Sequence, residues 1–206
     1  MDTGTTNFTN SNGISFDLQD EDLGKGTAFG VSAGKYITDS FRLELEAIKR
    51  DGYDYDARII QLTTTVSKAD METNQVYFIN GFYDFQPFII GNTPITPYLG
   101  GGMSISRNKI GTIAEHTNEV PNGDTRDGKT ISQFAYKLSA GTLFNLTDKL
   151  SLDVNYQYVN LGEFESSVEI FVNGVRRPDF DDLKPTNGGE IRSQEIMVGL
   201  QYSLIS

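Results

Sequence analysis

Hydrophobic and polar residues alternate with a period of two in one segment of this chain after another, and short turns separate the segments. The clearest case flanks Leu146-Thr147-Asp148-Lys149-Leu150. Before it, Phe134, Tyr136, Leu138, Ala140, Thr142 and Phe144 share one parity, and Lys137, Ser139, Gly141 and Asn145 the other. After it, Leu150, Leu152, Val154, Tyr156 and Tyr158 alternate with Ser151, Asp153, Asn155 and Gln157. Successive side chains of a strand point to opposite faces, so each segment predicts a strand with one apolar and one polar face. The polar parity carries full charges and glycines, and the apolar parity is rimmed with aromatics. That combination predicts a transmembrane β-barrel, apolar outside and polar within.

Further strands follow from the same reading. Ile14, Phe16 and Leu18 alternate briefly before Asp20-Glu21-Asp22 and Gly24-Lys25-Gly26 break the run. Residues 27–36 and 41–49 form a pair around Thr38-Asp39-Ser40, with Phe41, Leu43, Leu45 and Ala47 opposite Arg42, Glu44 and Glu46. Residues 75–85 and 96–107 form another pair, joined through Asn92-Thr93-Pro94. Residues 191–204 close the chain, with Ile196, Val198, Leu200, Tyr202 and Leu204 on one face. Connections alternate between short (38–40, 86–95, 146–149) and long (50–74, 108–130, 161–190), the rhythm of barrels with short periplasmic turns and long outer loops. Seven strands are clear, whereas single-chain bacterial barrels have an even number. The expectation is an all-β, eight-stranded antiparallel up-and-down barrel whose first strand is weak or partly missing. It forms a single domain over 1–206, with a polar segment at 1–26 and barrel strands and loops at 27–204.

Composition narrows the chemistry. No run approaches the roughly 18 apolar residues of a spanning helix, but a spanning strand needs only about 9–11 residues, half of them apolar. The chain has no Cys, which removes disulfides, thiolate metal sites and Cys nucleophiles. A net charge of −11 argues against nucleic acid as a partner. The polar start, Met1-Asp2-Thr3-Gly4-Thr5-Thr6-Asn7, does not read as a signal peptide, so the expectation is a mature chain whose leader lies outside it.

Parity sorts the side chains. Arg42, Glu44, Glu46, Asn80, Lys137, Asp153, Asn155, Gln157, Glu195 and Gln201 are expected in the interior as a polar network in which both signs pair. An eight-stranded barrel is only wide enough to be filled by such side chains. Leu43, Leu45, Leu99, Met103, Ile105, Tyr136, Leu138, Leu152, Val154, Tyr156, Val198 and Leu200 are expected to face lipid. Gly30, Gly34, Gly100, Gly102, Gly141 and Gly199 fall on the inward parity, either to make room for long side chains opposite or to let strands bend. Tyr36, Phe41, Phe85, Tyr98, Phe144, Tyr156 and Tyr158 are expected in interfacial belts. The single histidine, His116, reads as a solvated loop residue beside Glu115 and Glu119. One His without Cys makes a poor metal site, and Ser104 or Ser106 cannot be tied to it as a nucleophile. The acidic runs at 20–22, 51–56 and 179–182 lack the order of an EF-hand loop. Asn173-Gly174 predicts a tight turn joining 168–172 to 175–177 in an outer hairpin.

Residues 95–109, Ile95-Thr96-Pro97-Tyr98-Leu99-Gly100-Gly101-Gly102-Met103-Ser104-Ile105-Ser106-Arg107-Asn108-Lys109, resemble the small outer-membrane β-barrel proteins, and more narrowly the rickettsial-type major surface antigen family. Phe41-Arg42-Leu43-Glu44-Leu45-Glu46, Asn80-Gly81-Phe82-Tyr83-Asp84-Phe85, residues 134–141, residues 152–158 and Glu190-Ile191-Arg192-Ser193-Gln194-Glu195 fit the same pattern in order. The resemblance implies a surface antigen of a Gram-negative outer membrane, adhesive or porin-like, with no catalytic residues to carry over.

The expected function is therefore non-catalytic: a barrel holding long outer loops for contact with host or environment. No cofactor or metal is expected. The expected partners are the lipid bilayer and lipopolysaccharide, the barrel assembly machinery and host ligands of the loops, with the chain a monomer. The alternatives are a small porin, which needs a lumen unblocked by the Arg42/Glu44/Lys137/Asp153/Glu195 set, and a soluble lipocalin-like binding barrel, which needs an apolar interior parity. Replacing Leu43 or Val154 by Arg is expected to impair membrane insertion by about 2–4 kcal/mol. The measurement is the urea midpoint of folding into vesicles, and unchanged midpoints in both variants would reject the facing assignment.

Overall fold

In the computed structural model, residues 7–9, 15–17, 19–22, 26–51, 54–61, 63–73, 76–117, 125–126, 128–165, 170–172, 175–176 and 187–204 are described. The chain opens on three short strands, β1 (Asn7–Thr9), β2 (Ser15–Asp17) and β3 (Gln19–Asp22). Next come β4 (Thr27–Tyr36), β5 (Phe41–Asp51), β6 (Asp54–Gln61) and β7 (Thr63–Thr73). These are followed by β8 (Val76–Asp84), β9 (Phe88–Ile90), β10 (Thr93–Ile110), β11 (Ile113–Thr117) and β12 (Thr125–Arg126). The C-terminal part contains β13 (Thr130–Asn145), β14 (Leu150–Glu165), β15 (Ile170–Val172), β16 (Val175–Arg176) and β17 (Asn187–Tyr202). There is no helix among the described residues.

Seven strands form a wall in the order β4-β5-β8-β10-β13-β14-β17, each antiparallel to its neighbour. The wall curls until inward side chains of β5 reach those of β17, with Arg50 Nε donating to Glu195 Oε1 at 2.7 Å. Two of its short turns share one construction. In Ile37–Phe41 the Phe41 N–H donates to Thr38 Oγ1 at 3.0 Å, and in Leu146–Leu150 the Leu150 N–H donates to Thr147 Oγ1 at 3.0 Å. The N–H of Ile37 and that of Leu146 return to the carbonyls of Phe41 and Leu150, at 2.8 and 2.9 Å. The matching Thr-Asp pairs supply this local side-chain acceptor, and so both hairpins close tightly.

β4 pairs with β5 alone and β17 with β14 alone among the described residues. Both run from the long-loop end to the short-turn end, so they cannot be antiparallel partners of each other. The place between them suits one strand running the opposite way, in keeping with the eight-strand expectation and its incomplete first strand. The described pieces of the N-terminal segment pair elsewhere: β1 with β2, and β3 with β6.

Beyond the wall, stretches expected to be loops are in fact paired. β6 and β7 form a hairpin within 50–74, favoured by the β-branched run Thr63-Thr64-Thr65-Val66. β7 pairs with the far end of β10 at 108–110 and then with β11, and β11-β12-β15-β16 continue the same sheet. His116 thus lies on a strand opposite Val66, rather than in a loop. β15 and β16 pair across Asn173-Gly174 with Val172 opposite Val175, the hairpin that the turn dipeptide predicts. A strand edge left bare invites unwanted pairing, and this outer sheet covers the edge that β10 presents above the wall.

The ladder of β14 with β17 shifts register twice, between Asn160 and Glu163 and between Glu163 and Glu165. Gly162 there has φ +80°, and its N–H donates to Asn160 Oδ1 at 2.8 Å. A Cβ at this position would lie 2.5 Å from Gln133 Cβ. Gly162→Ala is expected to cost about 1–3 kcal/mol, from left-handed strain plus the clash. Urea titration of the folded protein in micelles, read by gel mobility, checks this; an unmoved midpoint would contradict it.

Candidate functional site

The inward parity fills the curl, and its side chains fall into three levels. At the short-turn end, the Arg42 guanidinium packs against the Phe82 and Tyr98 rings, 4.4 and 4.9 Å from their centroids. Arg42 Nε donates to Asp84 Oδ1 at 3.3 Å, Nη1 pairs with Glu44, and Nη1 also reaches Gln201 Oε1 at 3.4 Å. The Tyr36 hydroxyl donates to Asp84 and the Tyr98 hydroxyl to Asp153 Oδ1 at 2.7 Å. Phe82 and Tyr98 meet edge to face at 5.4 Å and bury Leu143 with them.

In the middle level, Lys137 pairs with Glu46, and Asn80 Nδ2 donates to the same carboxylate at 3.0 Å. Lys137 also sits 5.2 Å from the Phe78 ring. Toward the long-loop end, Arg50 grips Glu195 with two bonds, Nε at 2.7 Å and Nη2 at 3.2 Å. Gln157 Nε2 and Ser193 Oγ donate to the same carboxylate at 2.7 and 2.5 Å. Four donors on one carboxylate offset the cost of removing it from water, which an unpaired charge could not do. Here the bulge in β14 also finds its partners: Asn108 Nδ2 donates to the Leu161 and Glu163 carbonyls at 2.8 and 2.9 Å, and Ser106 Oγ to that of Leu161.

Small residues make room for large ones across the strand ladders. Gly34 stands opposite Glu44, Gly100 opposite Phe82, Gly102 opposite Asn80, and Gly141 opposite Tyr98. A Cβ on Gly141 would lie 2.5 Å from the Tyr98 ring. Gly199 is different, with open space where a Cβ would go.

The interior set named from parity is placed as follows. Arg42, Asn80, Lys137 and Gln157 are buried; Glu44, Glu46, Asp153, Asn155, Glu195 and Gln201 are half-buried. Asn155 Nδ2 reaches Asp153 Oδ2 at 3.4 Å. Of the outward set, Leu43, Leu45, Leu99, Met103, Ile105, Tyr136, Leu138, Tyr156, Val198 and Leu200 are exposed, and Leu152 and Val154 are half-buried. Sequence reasoning missed Arg50, Asp84, Ser106 and Asn108, all of which extend the inward parity already set by Arg42, Asn80 and Gly102. It also missed that this parity turns apolar toward the long-loop end, where Ile48, Val76, Phe78, Val159, Leu161 and Ile191 are buried. One belt assignment is corrected: Tyr98 is only 3% exposed and points inward, where its hydroxyl finds a carboxylate. Tyr36 is exposed at the end of β4, and its hydroxyl reaches Asp84. Ser104 donates to the Tyr77 carbonyl and Ser106 to that of Leu161, so both hydroxyls serve backbone pairing. No cluster of three or more His, Cys, Asp or Glu residues able to hold a metal occurs among the described residues.

Residues 2–203 match the model of the family described as outer membrane protein beta-barrel domain. Among curated proteins, the chain is 25% identical over 130 residues to the outer membrane protein PagN of Salmonella typhimurium, covering 62% of this chain and 48% of that one. It is 38% identical over 72 residues to an uncharacterised protein of Brucella abortus, covering 33% of this chain and 25% of the other. The chain thus spans about half the length of the first relative and a quarter of the second. Among solved structures, Neisserial surface protein A is 16% identical, with a TM-score of 0.42, over 96% of this chain and 90% of that one.

The central ion pair generates a test. Lys137→Met leaves the Glu46 carboxylate without its cation and is expected to cost about 3–5 kcal/mol. The double change Lys137→Met with Glu46→Leu is expected to recover most of that loss. Glu46→Leu alone completes the cycle, with urea midpoints in micelles as the measurement; a double-variant loss equal to the sum of the two single losses would show that the pair is not coupled.

Proposed function

The chain belongs to the outer membrane protein beta-barrel domain family, and from that premise we propose that it is a non-catalytic surface scaffold whose outer sheet contacts host or environment. The observation carrying this reading is the outer sheet itself. The three long connections are joined by backbone hydrogen bonds into β7-β11-β12-β15-β16, which is anchored on the wall through β10. Such a sheet holds its shape through the main chain, which leaves its side chains open to recognition. The β15–β16 hairpin, at the end of that sheet, is the leading contact element.

In this reading the leucine- and tyrosine-rich outward face meets the hydrocarbon, with lipopolysaccharide around the outer leaflet. The family's assembly machinery inserts the barrel as a monomer. The network of Arg42, Glu44, Glu46, Lys137, Asp153 and Glu195 fills the lumen and holds the wall curled. The ordered motifs from residues 41 to 195 support the finer placement beside the rickettsial-type major surface antigens. The small-porin reading fares worse, because Arg42 packs against both Phe82 and Tyr98, with Leu143 buried in the same aromatic cluster. A soluble binding barrel fares worse still, since the face rich in exposed Leu, Ile and aromatic residues is the outer one.

Replacing residues 166–180 with a short Gly-Ser linker is expected to leave insertion intact and to abolish adhesion of expressing bacteria to host-cell monolayers. Undiminished adhesion would reject the hairpin as the contact element. In planar bilayers the intact protein is expected to give no steady single-channel conductance, and steps that persist in purified samples would favour the porin.

A further inference from the structure

The outward face of the wall is not uniformly bulky. One rung across β10, β13, β14 and β17 reads Leu99, Ala140, Tyr156 and Ile196, directly abreast. The next rung toward the short turns reads Pro97, Thr142, Val154 and Val198. Ala140 and Thr142 are short, and they lie between Leu99 and Phe85 on one side and Tyr156 and Ile196 on the other. The result is a trough of about 630 Å³ on the outward surface, with no charged side chain in its lining.

Position narrows the occupant. Ala140 lies five residues above Asn145, where β13 ends. At about 3.3 Å per residue and a tilt of about 40°, that is roughly 12 Å, half of an apolar band about 25 Å tall. The trough therefore runs from mid-membrane toward the short-turn side, within the periplasmic leaflet. The turn below it, residues 146–149, carries the exposed Lys149 at headgroup level. Width narrows it further. The flanking strands β10 and β14 are two strand spacings apart, about 9–10 Å between backbones before side chains are counted. A helix about 10–12 Å across does not fit that space, and a second barrel wall is too broad to enter it. A single flexible hydrocarbon chain fits.

We propose that the trough over Ala140 and Thr142 seats one acyl chain of a phospholipid from the periplasmic leaflet, its phosphate at the level of Lys149. The proposal rests on the membrane reading above, and its test separates the two. The full chain is folded into vesicles of phosphatidylethanolamine and phosphatidylglycerol, with lipid A included in a parallel set. It is then moved to mild detergent, and retained lipids are counted by native mass spectrometry. Ala140→Phe fills the trough, while Ala47→Phe adds the same bulk to outward-facing β5 and serves as the control.

The expected result is one phospholipid adduct on the wild type and on Ala47→Phe, and loss of most of it on Ala140→Phe, with all three showing the heat-sensitive gel mobility of a folded barrel. Lys149→Ala is expected to lower the phospholipid adduct without abolishing it. Equal retention by Ala140→Phe and the wild type overturns the trough assignment. Preferential retention of lipid A overturns the leaflet assignment, and adducts of detergent alone overturn the lipid site altogether. Failure of all variants to enter vesicles would instead strike at the membrane reading.

Discussion

A strand inside hydrocarbon has no water to satisfy its N–H and C=O groups, so each must find a partner on the neighbouring strand. The rest of this molecule depends on that constraint. It explains why the wall strands pair in long uninterrupted registers, fifteen residue pairs deep between β10 and β13. It also explains why the irregular end of β14 is repaired from across the interior. The carbonyls that the bulge displaces from the ladder are met by Ser106 and Asn108 of β10, which is not a neighbour of β14. Polar side chains in the lumen therefore serve the backbone as well as one another.

Once the wall curls, its inside becomes a packing problem with little slack. Large inward groups such as Tyr98, Phe82 and Glu44 lie across from glycines, and each charge is placed where an opposite charge or several donors can reach it. Arg42 shows how tightly the two demands are linked. It packs against two rings, pairs with Asp84 and Glu44, and reaches toward β17, so aromatic packing and charge neutralisation act through one side chain. Deleting such a partner is costly because the remaining charge keeps its burial and loses its compensation.

Much of the wall was legible in the sequence because its signal is local. Leu43 against Glu44, or Val154 against Asp153, states which face is which without knowledge of any neighbour. The Thr-Asp turns at 38–39 and 147–148 likewise carry their own geometry. What was not legible depends on distance in space. Tyr98 sits on the same parity as Gly100 and Gly102, yet an aromatic near a strand end reads as an interfacial belt residue until Asp153 is known to stand nearby. Arg50 and Asp84 lay just past the stretches where alternation is cleanest. The apolar inward set from Ile48 to Ile191 is hidden because the pattern reverses there: Ile191 stands between Glu190 and Arg192 and Ile48 beside Lys49, so the parity that is polar near the short turns becomes the apolar one. The outer strands were missed because polar, β-branched segments acquire strand structure from the edges they meet, here those of β7 and β10.

The two edges of the wall that have no further ladder partner among the described residues, on β4 and β17, have the same polarity along the membrane normal. Copies of this chain inserted by one pathway all share one orientation. Any two of them brought edge to edge would thus align strands that run the same way, and the antiparallel ladder used everywhere else in the wall could not form between them. The vectorial sense of insertion acts as a filter on self-association. It leaves the seam accessible only to a strand that enters from the opposite side of the membrane, whatever the crowding of like molecules around it.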